Sequence, residues 1–223
     1  MRFDKRFRRA SVVVVVLSAV AVAAVASAGP PPDKGGGKKP KDPTTTTITA
    51  NTTTTVASPP DGSYNDADAD FVAMMIPHHF QATVMSDLAP GRAGDATVLA
   101  LAERIGVEQE VEIGMMQNWQ TWNGLEVTDA EAAYEMMLQM PMMVEQMGMA
   151  TPEELDALTG ASGTGFDRQY LQLMIDHHEG ALTMLTDVLV HGSDTTLEFW
   201  ATDMLTAQGV QIDQMEAMIA ELG

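Results

Sequence analysis

An internal repeat constrains the fold of this chain more than any other feature of its sequence. The motif Met-Ile-x-His-His occurs at residues 75–79 and again 99 residues later, at 174–178. The same offset, without a gap, aligns further identical residues: Asp68 with Asp167, Ala82 with Ala181, Met85 with Met184, Asp95 with Asp194, Ala102 with Ala201, Gln109 with Gln208, Val111 with Val210, Ile113 with Ile212 and Met116 with Met215. This register indicates that residues 66–119 and 165–218 are two copies of one structural unit.

Each copy is predicted to form two amphipathic helices. In the first helix, apolar residues and one histidine recur every three or four positions through residues 71–85, and again through 170–184. That spacing is the period of one helix face. Turn-forming residues at 89–91 and 191–193 then lead into a second helix. Two such hairpins bury their apolar faces against each other, so the sequence predicts an all-α fold, a four-helix bundle with a pseudo-two-fold axis.

Residues 120–163 connect the two hairpins and are too many for a simple loop. Thr128 and Thr151 each precede a glutamate by three residues, which is the pattern of a helix N-terminus with a capping box. We therefore expect one helix near 130–148 and a short one near 152–158. Pro77 and Pro141 lie within helical patterns and are expected to kink them, because proline lacks a backbone N–H.

The first 63 residues differ in composition from the rest of the chain. Residues 1–28 combine a basic start, an apolar stretch and a final Ala-Ser-Ala, the three parts of a cleavable signal peptide. Residues 29–63, rich in Pro, Gly and Thr, are predicted to form a disordered tether. The globular domain is then expected at 64–221. The protein is therefore predicted to be exported, with no transmembrane helix in the mature chain.

Charge and cysteine content exclude several functions. From residue 61 onwards the chain has three basic residues and 28 acidic ones, so it would repel a phosphate backbone and no nucleic-acid partner is expected. The chain has no cysteine, which excludes disulfides, thiolate metal cages and thiol nucleophiles. Sequence motifs of nucleotide-binding loops, of zinc proteases and of serine hydrolases are absent, as is the Glu-x-x-His pair of di-iron bundles.

Histidine and methionine carry the candidate chemistry. Four of the five histidines lie in the repeated motifs, and the symmetry would bring His78, His79, His177 and His178 near each other. A methionine lies four positions before several of these histidines, so that their side chains can meet on one helix face. Thioether and imidazole groups together favour Cu(I) or Ag(I) over Mg²⁺ or Ca²⁺. The alternative is that the histidines are core residues, bonded to Gln109, Glu112 or Gln208.

Methionine is also dense in the connector, with seven in residues 136–149. Four of them have helical spacing and form a candidate secondary metal site: Met136, Met140, Met143 and Met147. The same spacing is explained equally well by an ordinary apolar stripe.

The paired Met-Ile-x-His-His motifs, the Gln-x-x-Glu-Ile-x-x-Met sequence after the first, and Met-Gly-Met in the connector resemble the domain of unknown function 305 family over about residues 64–220. The resemblance implies a ferritin-like bundle, exported in bacteria, with a role in copper or silver handling in some members. Carried over to this chain, it implies these metal ligands: Met75, His78, His79, Met85, Met174, His177, His178 and Met184. Gln81 departs from the His-His-x-Gly-Ala pattern that Gly180 fits, and Gln211 stands where the second copy would have glutamate.

Our leading hypothesis is an extracytoplasmic protein that binds Cu(I) or Ag(I) through histidine and methionine, and sequesters the ion or passes it to a protein partner without catalysing a reaction. Zn²⁺ or Cu(II) on the histidines alone is an alternative. A second is a structural or interaction protein with a buried His/Gln/Glu network. A third is a metal-dependent enzyme, with Glu112 or Glu179 as the base.

Overall fold

The computed structural model describes residues 64–222, which form seven helices and no strand of a sheet. The helices are α1 (Asp66–Ser86), α2 (Ala96–Trp122), α3 (Ala130–Met137), α4 (Pro141–Gln146), α5 (Pro152–Gly160), α6 (Thr164–His191) and α7 (Thr195–Glu221). The four long ones are the helices predicted from the repeat, and the all-α prediction is confirmed. The predicted signal peptide and tether lie outside the described residues.

The four long helices pack as two hairpins, α1 with α2 and α6 with α7, and α1 also packs against α6. Turns at the predicted positions close both hairpins, and Gly91 adopts a φ of 77° in the first, a conformation that favours glycine. None of the described helices has an apolar stretch long enough to cross a lipid bilayer.

Two buried aspartates join the repeats at their ends. Asp68 of α1 accepts hydrogen bonds from the backbone N–H groups of Ser193 and Asp194, just before α7, at 2.9 and 3.1 Å. Asp167 of α6 accepts from two backbone N–H groups just before α2, at 2.9 and 3.0 Å. The N-caps of α2 and α7 are their own Asp95 and Asp194. Each hairpin therefore holds the turn that leads into the second helix of the other.

The apolar core consists of two clusters with a polar layer between them. One cluster takes residues 82–105 of the first hairpin with 166–175 and Met215 of the second. The other takes residues 71–76 and 113–119 with 181–204. On each long helix, buried polar residues lie between these clusters: His78 and His79 on α1, Gln109 on α2, His177 and His178 on α6, and Gln208 and Gln211 on α7. The histidine motifs thus lie at the middle of the bundle.

The connector differs from its prediction in two respects. The single helix expected near 130–148 is split, because Pro141 begins α4 as its first residue instead of kinking a longer helix. A helix start is where a missing N–H costs least. The cap of α3 is Asp129, whose side chain accepts from the N–H of Ala132, and not Thr128. The short helix α5 forms as predicted, with Thr151 in a capping box.

Candidate metal centre

His78 and His177 meet at the centre of the bundle. Their ring centroids are 3.8 Å apart and the ring planes are inclined by 30°. His79 and His178 lie to either side, with centroids 6.2 and 6.1 Å from those of their chain neighbours. All four side chains are buried. The structure therefore brings together the two histidine pairs that the repeat predicted to be close.

The hydrogen bonds of the central pair determine which ring nitrogen carries the proton. His78 Nε2 lies 3.0 Å from the carbonyl oxygen of Met147, and His177 Nε2 lies 2.9 Å from the carbonyl oxygen of His78. A carbonyl can only accept, so Nε2 is the donor in both rings. In the neutral form of each ring, the lone pair is then on Nδ1.

The flanking histidines are held by side chains of the outer helices. His79 Nε2 donates to Glu112 Oε2 on α2, at 2.8 Å. His178 Nε2 lies 2.7 Å from Gln211 Oε1 on α7. Gln211 uses its amide nitrogen for Glu108 Oε2, at 2.6 Å, so its oxygen faces His178 and accepts from it. Glu112 was a predicted partner, whereas Gln211 was noted only as a departure from the repeat.

The Nδ1 atoms of all four histidines are buried and have no hydrogen-bond partner. A buried polar atom without a partner costs about 1–3 kcal/mol, so four in one layer call for an explanation. Metal-binding histidines commonly donate one ring N–H to a carbonyl or carboxylate and ligate through the other nitrogen. The hydrogen bonds described above have this pattern, and it suits a metal that accepts imidazole nitrogen.

Burial keeps the imidazoles of His78, His177 and His178 neutral. Burial, with a smaller contribution from the nearby His79, lowers the pKa of His78 to about 3. Burial also lowers the pKa of His177 well below 6.5, assisted by His78. For His178, burial lowers the pKa to about 4, although the hydrogen bond to Gln211 and the charge of Glu112 act in the opposite direction. Near pH 7 these three rings are therefore neutral, with a lone pair on Nδ1 that can bind a metal.

A connector segment lies against α6 beside the central histidines. A Cβ atom on Gly180 would overlap the carbonyl of Met147 and approach Gly148 N to 3.0 Å. Gly148 has a φ of 64°, and a Cβ there would overlap the carbonyl of Asp176. Two glycines therefore let the connector backbone contact α6, and this contact brings the Met147 carbonyl to His78.

Gln81 is the residue of the first repeat that is equivalent to Gly180, and its side chain binds the connector. Gln81 is buried and holds Ala150 at both backbone groups: its Oε1 accepts from the Ala150 N–H at 2.6 Å, and its Nε2 donates to the Ala150 carbonyl at 2.8 Å. The connector crosses α1 and α6 at different points of its path. The departure of Gln81 from the repeat is therefore a requirement of connector packing.

The predicted methionine ligands are divided among three apolar clusters. Met75 is buried in one apolar cluster, while Met85 and Met174 are buried in the other. Met184 is partly buried near the connector. Within residues 64–222, no three His, Asp or Glu side chains form a group that could hold a metal ion. A metal on these histidines would therefore need thioether ligands or a small movement of the rings.

The four methionines of the predicted secondary site do not lie on one helix face. Because Pro141 separates α3 from α4, Met136 and Met140 are exposed by 65% and 44%, whereas Met147 is 5% exposed. A different group of six methionines gathers between the connector, α1 and α6: Met74, Met137, Met143, Met147, Met149 and Met184. The high methionine density was the only sign of this cluster in the sequence.

The remaining polar residues have distinct surroundings. Gln109 and Gln208 were predicted as histidine partners, but Gln109 Oε1 and both polar side-chain atoms of Gln208 are buried without a hydrogen bond. His191 ends α6 and is exposed, with Nδ1 lying 3.0 Å from Asp187 Oδ1. It takes no part in the central layer.

Comparison with known proteins places these features in a family. The DUF305 family, described as a domain of unknown function, matches residues 68–219. No functionally curated protein matches the chain. Among solved structures, a DUF305 protein of Streptomyces coelicolor described as a putative secreted protein is 32% identical, with a TM-score of 0.61, over 70% of this chain and 94% of its own.

Copper- and silver-bound structures are also similar. CopM in its Cu(II)-bound form is 30% identical, with a TM-score of 0.59, over 70% of this chain and 97% of its own. CopM in its Cu(I)-bound form is 28% identical, with a TM-score of 0.54, over 69% and 96%. CopM is also known in Ag-bound forms. The family match and these similarities agree with the all-α fold, and the chain belongs to the DUF305 family.

Proposed function

We propose that this protein binds Cu(I) or Ag(I) at the histidine layer and sequesters the ion or delivers it to a protein partner. The observation that carries the proposal is the set of four buried Nδ1 atoms without partners, on rings whose Nε2 atoms are already bonded. Copper and silver are bound by the similar protein CopM, which supports the choice of metal.

The neighbouring methionines favour the soft ions over Zn²⁺. Thioether sulfur favours Cu(I), and imidazole nitrogen is also a suitable ligand for copper. Met75, Met174 and Met184 each lie within one or two helical turns of a motif histidine, so a small shift of side chains can complete a mixed site. Zn²⁺ or Cu(II) would use imidazole alone, and the two metals are therefore included in the test.

The proposed role is not catalytic. Of the two carboxylates considered as bases, Glu112 is occupied by His79 and Glu179 is exposed on α6. We expect the protein to act outside the cytoplasm, since residues 1–28 have the pattern of a signal peptide and the Streptomyces coelicolor neighbour is described as secreted.

The test is an anaerobic Cu(I) competition titration of residues 29–223, repeated with Ag(I), Cu(II) and Zn²⁺. It is run beside a variant with His78, His79, His177 and His178 all changed to Ala, and beside His191→Ala, which removes the exposed histidine. We expect tight Cu(I) binding that the fourfold variant loses and the control keeps. A His79→Gln, His178→Gln variant, which retains side-chain size, replaces the fourfold variant if circular dichroism shows that the latter is unfolded.

Tight binding retained without the histidines would contradict this proposal and move the site to the methionine cluster of the connector. Changing Met137, Met147 and Met149 to Leu would then remove it.

A structural role is the second candidate, because His78 and His177 already bond to backbone carbonyls and the ring of His78 holds the connector. Under that reading no metal binds in any variant, while the histidine substitutions lower the melting temperature.

A further inference from the structure

The two flanking histidines differ in the charge of the group that holds them. His79 donates directly to the carboxylate of Glu112, at 2.8 Å. His178, its equivalent in the second repeat, donates to the neutral amide of Gln211, at 2.7 Å. Residues 112 and 211 are themselves related by the 99-residue offset. The two repeats therefore differ here only in that one has a carboxylate where the other has an amide.

The His178 side also has a carboxylate, Glu108, but it contacts Gln211 instead of the histidine and also interacts with Arg104. Gln211 Nε2 donates to Glu108 Oε2 at 2.6 Å, and the other oxygen of Glu108 lies 3.8 Å from Arg104 Nε. The Glu108 side chain is 45% exposed, against 23% for Glu112. Water and the guanidinium therefore weaken the field of Glu108 at His178, whereas Glu112 acts on His79 at direct contact.

From this asymmetry we infer that the pair Glu112 and Gln211 makes the two His-His units unequal, so that the unit with His79 binds Cu(II) more tightly than the unit with His178. A carboxylate that accepts the Nε2–H raises the electron density on Nδ1 and makes it a stronger donor. Its negative charge also offsets the charge of the ion, and this effect is larger for a divalent ion than for a monovalent one. The inference rests on the proposed function, since it assumes that the histidines are the ligands.

The same asymmetry bears on which oxidation state each unit prefers. In the His178 unit the direct hydrogen-bond acceptors are neutral, and the carboxylate of Glu112 acts on His178 only through space. Neutral nitrogen and sulfur donors suit a soft monovalent ion. Glu112 is consequently a residue that determines specificity through His79 without touching the metal itself.

Glu112→Gln and the double substitution Glu108→Gln with Gln211→Glu test the inference with little change of shape. The second substitution, at 108, is needed because a glutamate at 211 alone would place a carboxylate oxygen against Glu108 Oε2, which now accepts from Gln211 Nε2 at 2.6 Å. The amide at position 211 already accepts from a histidine in this chain, so glutamine at 112 is expected to keep the hydrogen bond to His79. Glu110→Gln is the matched control, because Glu110 is exposed on the same helix and its replacement removes the same charge. Each protein is titrated with Cu(II) against a competing chelator, and with Cu(I) without oxygen.

We expect Glu112→Gln to weaken the tighter Cu(II) equivalent by 10- to 100-fold and Cu(I) binding by less than about threefold. Glu108→Gln with Gln211→Glu should strengthen the weaker equivalent by about tenfold, and the two Cu(II) signals in the electron paramagnetic resonance spectrum should then become more alike. Glu110→Gln should change the Cu(II) affinity by less than about twofold.

Equal effects of Glu112→Gln and Glu110→Gln on Cu(II) affinity would overturn the inference while leaving the proposed function in place, provided that binding still depends on the histidines. If removal of the four histidines leaves the affinities of the wild-type protein unchanged, the proposed function fails and this inference fails with it.

Discussion

Replacing Gly180 by alanine is expected to separate helix propensity from connector packing. In an open position of a helix, Gly→Ala stabilises a protein by about 1 kcal/mol. At Gly180 the new Cβ would overlap the carbonyl of Met147, and the atoms in its way belong to backbone and not to a flexible side chain. The connector must therefore move away from α6.

The cost follows from the bonds that this movement breaks. His78 Nε2 loses the Met147 carbonyl at 3.0 Å, and the two bonds between Gln81 and Ala150 are strained in the same step. A buried donor left without an acceptor costs about 1–3 kcal/mol, and more than one is affected. After subtraction of the helix-propensity gain, we expect Gly180→Ala to lower the free energy of unfolding by about 3 kcal/mol, or the melting temperature by roughly 6–12 °C.

Gly209→Ala is the matched control, since Gly209 lies within α7 and a Cβ there meets no atom within 4 Å. Urea unfolding of both variants, followed by circular dichroism, should show Gly209→Ala stabilised and Gly180→Ala destabilised. Long-range ¹H–¹⁵N NMR of the metal-free protein should also show the Nε2–H tautomer of His78 in the control and its perturbation in Gly180→Ala. If the two substitutions change stability by the same amount, the reasoning about the connector is refuted.

Three further perturbations test other parts of the structure. Because the folded-state pKa values of His78 and His178 are about 3 and 4, below the ordinary 6.5, the stability that these neutral rings contribute is complete above pH 6.5 and is lost as the pH falls towards 4. At pH 5 urea unfolding of the metal-free protein should show a loss of about 2 kcal/mol for each of these histidines, and an unchanged midpoint between pH 7 and 5 would contradict the assignment of buried neutral rings. Asp167→Ala should destabilise the fold by about 2–4 kcal/mol, because two backbone N–H groups before α2 lose their acceptor. The control is Asp70→Ala, at an exposed position of α1, which should change the melting temperature by less than about 2 °C. Gln81→Leu should leave both backbone groups of Ala150 without partners and increase hydrogen exchange in residues 147–150 more than in α7; uniform exchange across the bundle would argue against a local connector clamp.

Much of the fold was predictable because its determinants are local. The spacing of apolar residues along 71–85 and 170–184 specified two helices, and the Pro, Gly and Ser turns specified hairpins. The gapless offset between the repeats then implied the pseudo-symmetric bundle and the meeting of His78 with His177, whose ring centroids are 3.8 Å apart. Glu112 was also predicted as a partner, since it lies on the facing helix at the right level.

The connector was less predictable because its structure depends on what it packs against. An apolar period continues through residues 136–147, yet Pro141 begins a new helix there and the methionines divide between solvent and the interior. Gln81 and Gln211 looked like defects of the repeat. Their side chains in fact bond to Ala150 and to His178, which are distant in the chain.

The sequence by itself determined the helices, their pairing into two equivalent hairpins and the position of the histidines at the middle of the bundle, because a helix face is specified by residues three and four positions apart. Only the tertiary structure determined which nitrogen of each histidine has no partner. It also determined that a glycine is required at 180 but not at the equivalent position 81, and that a carboxylate accepts from His79 while an amide accepts from His178. These properties depend on hydrogen bonds and close contacts between residues 33 to 103 positions apart, and no short-range pattern in the chain records them.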